Sequence, residues 1–282
     1  MIFALLGFAY WALAIQLVTQ CLVATLLRWC FSGWRPTFSF DFSPIKEMFG
    51  FSSKILFNNI LGQVNMNVFS VLLGKYYTDT DTGYYSQGNK WMIIGNTTVS
   101  GMIQGVAQPV LVEVVDDKER QKNVFRKMLR FGAFISFPTL LGLAFVAKEF
   151  ILLTVGEKWI NSVPYLQILT IAYSFSFITN LYCSLLLTHG KSNVVLYGSS
   201  IIYGSNLMLA FCLVPYGIFT MIIGCSILTV FSNLFWHFCA KRLIEIRTID
   251  LLKDISPYFS LIVICILISW FATLKIENLY IL

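Results

Sequence analysis

IFTMIIGCSILTVFSNLFWHFCA, Ile218–Ala240, runs for 23 positions without a charged side chain and stops at Lys241 and Arg242. A helix needs about 20 mostly apolar residues to cross a hydrocarbon core, so this stretch reads as a membrane span. Barrel strands would be about 10 residues long with strict alternation, which it lacks. Working outward, seven more runs have the same character: Ile2–Leu27, Ile55–Leu73, Trp91–Val115, Phe131–Ala147, Pro164–Leu187, Val194–Val214 and Pro257–Leu274. The run beginning at Phe131 reaches Val155 if Lys148 and Glu149 sit at the interface. The expected fold is an all-α polytopic membrane protein with about eight transmembrane helices.

Composition agrees. The chain has 282 residues, 57% hydrophobic and 12% charged, about half the charge of a soluble domain. Too few charges exist to cover a globule, which excludes a soluble enzyme, a nucleic-acid-binding domain and a disordered chain. The net charge of +6 therefore needs another source than nucleic acid. Counted loop by loop, segments 28–54, 116–130, 188–193 and 241–256 hold 15 of the 20 Lys and Arg, against 5 for the alternate loops and the tail. The positive-inside rule makes those four segments cytoplasmic. Lys118, Arg120, Lys122, Arg126, Lys127 and Arg130 dominate, as a topology determinant that also meets anionic headgroups of the membrane lipids. Met1–Phe3 has no basic n-region and no small-residue cleavage site follows, so no signal peptide is expected. Both termini then lie outside, as in a section of a larger protein.

Several stretches resemble the polysaccharide and O-antigen flippases of the MOP superfamily, relatives of the MATE exporters. They are Gly7-Phe8-Ala9-Tyr10-Trp11-Ala12-Leu13, Trp34-Arg35-Pro36, Leu73-Gly74-Lys75-Tyr76-Tyr77, Thr82-Gly83-Tyr84-Tyr85, Pro109 with Asp116-Asp117, Phe137-Pro138, Gly156-Glu157-Lys158-Trp159 and His189-Gly190-Lys191, in the family's order. The resemblance implies residues 1–27 as the last helix of a first lobe and 28–54 as a cytoplasmic interlobe loop. It further implies 55–240 as the six-helix bundle of a second lobe, 241–256 as a cytoplasmic loop, and 257–282 as an appended helix and tail. On that reading the chain is partial. The implied substrate is a lipid-linked oligosaccharide carried on a polyprenyl pyrophosphate, in the cytoplasmic membrane of a bacterium, with other polysaccharide-export proteins as partners.

The residues carry their own chemical signal. The 14 acidic residues all fall in loops or at helix ends in this reading, leaving no mid-membrane carboxylate. No metal-ligand spacing, phosphate loop or nucleophile motif occurs, so no catalytic residue, metal or cofactor is expected. His237 reads as an interfacial residue beside Lys241 and Arg242, and the seven scattered cysteines as small hydrophobes. The run Ile55–Leu73 departs from the rest, with Asn58, Asn59, Gln63, Asn65, Asn67 and Ser70 inside one span. Each amide in hydrocarbon needs a partner, so these groups should face helices or water rather than lipid. At 100° per residue Asn58 and Asn65 align, with Lys54 and Gly62 beside them, while Asn59, Gln63 and Asn67 form a second stripe. Thr97, Gly101, Gln104 and Gln108 share a face of the next span, where the Gly101/Gly105 spacing suggests close packing.

Neutral amides suit sugar hydroxyls better than a drug cation, which would want a buried carboxylate. The expected substrate path is Asn58, Asn65, Gln104, Gln108, Lys54, Asn59, Gln63 and Thr97, with Lys54 drawing the phosphate. A MATE-type or lipid II exporter of the same superfamily is the alternative. A membrane-embedded glycan polymerase or ligase is disfavoured, because outward loops of about 17, 16 and 3 residues are too short to build an active site.

Overall fold

The computed structural model describes residues 9–33 and 42–273. Trp34-Arg35-Pro36, Gly7-Phe8 and the expected tail lie outside the described residues. The chain divides into two units, Met1–Phe49 and Gly50–Leu282. The first contains α1 (Ala9–Phe31), apolar from Ile15 onward and ending on Arg28 in its last turn.

The second unit contains most of α2 (Ser43–Tyr76) and then α3 (Asp79–Glu113), α4 (Lys118–Phe145) and α5 (Ala147–Thr154). A 3₁₀ turn at Glu157–Ser162 leads to α6 (Val163–Tyr173), α7 (Ser176–Thr188), α8 (Ser192–Leu213), α9 (Ile218–Ile244) and α10 (Thr248–Thr273). No strand occurs among the described residues. Six stretches of the described residues are long and apolar enough to cross a membrane: Met48–Tyr76, Lys118–Phe145, Glu157–Thr188, Ser192–Tyr216, Ile218–Ile244 and Thr248–Phe271. The expected eight shrink to six for two reasons. The first run begins before the described residues, and Ile15–Phe31 alone of it is counted, as a shorter apolar helix. The third run lies in α3, which has 35 residues but carries too many amides, hydroxyls and glycines to be apolar enough.

Helix boundaries correct several expectations. Asp117 caps α4, its side chain accepting from Arg120 N at 2.9 Å, so the basic segment expected as loop 116–130 is mostly the first three turns of a helix. Glu119 in that first turn suits the positive end of the helix dipole. Thr78 caps α3 in the same way, accepting from Asp81 N at 3.1 Å. The expected run Pro164–Leu187 is broken between α6 and α7. The carbonyl freed at Ser174 accepts from Ser136 Oγ at 2.7 Å, as burial in an apolar setting demands. Only Glu245, Ile246 and Arg247 separate α9 from α10, where 16 residues of loop were expected.

Two apolar cores stabilise the unit, one at each end. Phe125, Leu129, Phe137, Phe177, Leu181, Tyr182 and Trp236 anchor the one near Lys118, Lys191 and Arg242, called the basic end below. Leu73, Met92, Ile151, Leu166 and Met221 anchor the other. Close helix contact is made at Gly132, where an added Cβ would sit 2.6 Å from Phe177 Cδ2. Gly101 and Gly105, expected as a packing pair, have nothing within 4 Å of that position.

α10 is bound tightly to the bundle. Arg126 Nε and Arg130 Nε donate to Asp254 at 2.6 and 2.7 Å, and Phe137 stands edge-on to Phe259. Asp254 is 3% exposed and sits in the second turn of α10, so one carboxylate is buried after all. His237 is fully buried rather than interfacial. It shares hydrogen bonds with Tyr182 Oη at 2.7 Å and Thr248 Oγ1 at 2.9 Å, tying α7, α9 and α10 together.

Candidate functional site: a polar cavity between α2 and the bundle

α2 lies unlike its neighbours. Among its described side chains only Leu72 and Leu73 are buried, both in its last two turns. At that end Phe69 stacks on Tyr85 with centroids 6.5 Å apart, and Tyr77 Oη donates to Val214 O at 2.6 Å. The motif residues Tyr84 and Trp159, far apart in sequence, meet edge to face at 6.1 Å at this same end. Toward Lys54 the helix stands off, and α3, α7, α8 and α9 face it across a gap.

That gap is a cavity of about 690 Å³, inside the ~300–1,000 Å³ range of small-molecule sites. Seven of the eight residues expected from sequence line it: Lys54, Asn58, Asn59, Gln63 and Asn65 from α2, and Gln104 and Gln108 from α3. Thr97 does not. Its hydroxyl donates to Ile93 O at 2.8 Å on its own helix and stays exposed on the outside. A 100° wheel places Thr97 within about 20° of Gln104 and Gln108, yet it sits about two turns or more nearer the start of α3, where its hydroxyl bonds back to its own helix.

Four lining amides were not expected, Asn96, Asn180, Asn206 and Asn233, together with the hydroxyls of Ser176, Thr179 and Thr229. Asn180, Asn206 and Asn233 sit alone in apolar spans, and a lone amide in such a span was the available signal. Among the described residues that line the cavity, Lys54 alone is charged and none is a carboxylate. A second chamber of about 50 Å³ continues toward the tight end, sharing Asn65, Met66, Tyr173, Asn206 and Thr229 with the first.

One wall is internally satisfied. Ser176 Oγ donates to Asn96 Oδ1 at 2.6 Å, Asn180 Nδ2 to Ser100 Oγ at 3.0 Å, and Thr179 Oγ1 to Asn233 Oδ1 at 3.0 Å. These bonds join α3, α7 and α9, as buried polar groups in hydrocarbon require. Three other amides of the lining are not satisfied: Asn58 Oδ1 and Asn65 Oδ1 on α2 and Asn206 Oδ1 on α8 are buried with no donor. No group of His, Cys, Asp and Glu able to hold a metal occurs among the described residues.

At the basic end His189 Nε2 shares a hydrogen bond of 2.9 Å with the fully buried Gln121. Burial, with Lys191 and Lys118 nearby, holds His189 below the usual histidine pKa.

A family model described as "Polysaccharide biosynthesis protein" matches residues 1–164, more than half of the chain. The chain belongs to that family. It is similar to the teichuronic acid biosynthesis protein TuaB of Bacillus subtilis, 27% identical over 73% of this chain and 46% of that protein. It is also similar to the lipopolysaccharide biosynthesis protein WzxC of Escherichia coli, 25% identical over 66% and 39%. A third relative is the succinoglycan biosynthesis transport protein ExoT of Rhizobium meliloti, 26% identical over 60% and 34%. The chain thus spans less than half the length of each of these relatives. No solved structure matches it. With its six spans, this member of the polysaccharide biosynthesis family is a multi-pass protein of the bacterial inner membrane.

Proposed function

We propose that this chain supplies a lobe of a flippase that moves a lipid-linked oligosaccharide across the cytoplasmic membrane, without enzymatic chemistry. Residues 55–240 are the six-helix lobe, with α1 as the last helix of the preceding lobe and α10 as an added one. The carrying observation is the cavity: seventeen side-chain amides and hydroxyls of Asn, Gln, Ser and Thr, one lysine and no carboxylate among the described residues converge in the middle of an otherwise apolar bundle. Such groups are costly against lipid and favourable against water or glycan. The names of ExoT, a transport protein, and WzxC, a lipopolysaccharide biosynthesis protein, support the same substrate class.

The basic end faces the cytoplasm by its charge. The cavity is wide toward that side, where Lys54 lies, and narrows toward the aromatic contacts of Tyr85 and Trp159. A sugar head group enters beside α2 from the cytoplasm, with Lys54 meeting its phosphate, and the lipid stays outside in the bilayer.

In the native host, Asn58→Leu and Gln108→Leu should lower surface polysaccharide and raise lipid-linked precursor, at unchanged protein level. Normal export by both variants would overturn the proposal.

A further inference from the structure

We infer that the small chamber beyond the main cavity is a subsite for the acetamido group of an N-acetylated sugar, with Asn65 and Asn206 donating to its carbonyl and Thr229 accepting from its N–H. The inference deepens the flippase reading by naming a class of sugar for the head group, and its test does not depend on transport.

Size comes first. The chamber holds about 50 Å³, against about 690 Å³ for the main cavity. An enclosed water needs roughly 10–15 Å³ of such space, so the chamber takes about three to five non-hydrogen atoms. A carbonyl, a nitrogen and a methyl fit that; a whole sugar ring does not. The ring stays in the main cavity and a side group reaches in.

Hydrogen-bond capacity at the junction comes next. Asn65, Asn206 and Thr229 line both spaces, so they stand where the two meet. The amide oxygens of Asn65 and Asn206 are shut away without a donor. The Nδ2 groups of the same amides are open to the cavity and have no acceptor among the described residues, so N–H is what these side chains offer a ligand. Asn206 is only 6% exposed, which leaves the cavity as the place where its amide meets one. Thr229 has the complementary capacity. Its proton goes to Cys225 O at 2.9 Å, which leaves its lone pairs to accept. A ligand that satisfies all three brings one carbonyl oxygen and one N–H. A secondary amide carries both.

Beyond the junction the walls turn apolar. Phe69, Leu169 and Ile222 line the small chamber and not the main cavity, and they suit the methyl at the end of the amide. No charged residue lines this chamber among those described. A carboxylate there would leave water without gaining a cation. Lys54, eleven residues before Asn65 on α2, is about 16 Å away along the helix. A free ammonium would add donors where the amides already donate.

The test uses the 282-residue chain in detergent micelles, titrated with the methyl glycosides of N-acetylglucosamine, glucose, glucosamine and glucuronic acid, and read by saturation-transfer NMR. The N-acetyl sugar should bind at least about tenfold more tightly than each of the others, the value of one or two net hydrogen bonds. Its acetyl methyl should receive the strongest saturation in the molecule, since that is the group the apolar walls enclose. Asn206→Asp, nearly isosteric, puts an oxygen where Nδ2 was and should cut the preference over the glucoside to below about threefold. Ser226→Leu, at a position that lines only the small chamber, should fill it and do the same. Should either variant unfold early, the methyl saturation in the unaltered chain decides alone. Equal affinity for the N-acetyl sugar and the glucoside, or ring protons saturated more strongly than the methyl, overturns the subsite. Retention of the preference in both variants, at an unchanged unfolding temperature, does so too. Tighter binding of the glucuronide makes the chamber a carboxylate site and also overturns the proposal, as does absence of binding by any of these sugars. Each of these results leaves the flippase reading to be decided by surface polysaccharide in Asn58→Leu and Gln108→Leu.

Discussion

Replacing Asp254 with Asn should loosen α10 from the bundle, and the size of the effect follows from the geometry. Asp254 accepts from Arg126 Nε at 2.6 Å, Arg126 Nη2 at 3.1 Å and Arg130 Nε at 2.7 Å, with its own side chain 2% exposed. Breaking a buried pair from one side costs roughly 3–5 kcal/mol, because the surviving charge keeps its desolvation cost and loses its partner. The arginines here are 25% and 47% exposed, so water takes over part of the lost interaction. Solvent screening lowers the expectation to about 2–3 kcal/mol. The neutral amide would also leave two cations one helical turn apart with no anion between them.

The assay is thermal or denaturant unfolding in detergent, paired with proteolysis at the short Glu245–Arg247 connection. Asp254→Asn should unfold earlier and be cut faster there. Combined replacement of Arg126, Arg130 and Asp254 by Leu should recover much of the loss, since the desolvation cost disappears with the charges. If Asp254→Asn changes stability by less than about 0.5 kcal/mol, the triad is a surface ion pair in energetic terms. If the triple leucine variant is as unstable as Asp254→Asn, the reasoning from desolvation fails.

Three further outcomes are expected. Gly132→Ala should cost about 1–3 kcal/mol in the same unfolding assay, because its Cβ would press on Phe177 at 2.6 Å in a filled core. Stability should fall as pH drops through and below 6.5: His189 has its folded pKa lowered, so the folded state resists a proton the unfolded chain accepts. His189→Gln should flatten that profile, measured as unfolding temperature between about pH 5 and 8. Thr97→Val should leave polysaccharide export unchanged, since the hydroxyl serves Ile93 O and not the cavity.

What the sequence made legible was whatever hydrocarbon punishes. Length and apolar content mark Ile218–Ala240 as a span wherever it packs, and the amides of α2 announce a polar face because lipid will not tolerate them. So seven α2 and α3 residues could be grouped from spacing alone. Partner choice was not legible. Asp254 looked like a loop residue because Lys253 and the Ser256-Pro257 pair surround it, and nothing local reveals that Arg126 and Arg130 arrive from 124 or more positions away. His237 looked interfacial beside two basic neighbours, but Tyr182 and Thr248 complete its hydrogen bonds from other helices. Asn206 was overlooked for the same reason: one amide in an apolar span reads as an accident until the fold sets it in the lining of the same chambers as Asn65.

The two walls of that cavity divide the work. α3, α7 and α9 lock their amides into each other, which fixes their mutual geometry and leaves little reason to respond to a ligand. α2 has the opposite character, held at one end by Leu72, Leu73, Phe69 and Tyr77 and unburied toward Lys54. α2 thus matches α3 in amides, five each, but has far less packing to hold it, with Leu72 and Leu73 its buried side chains among those described.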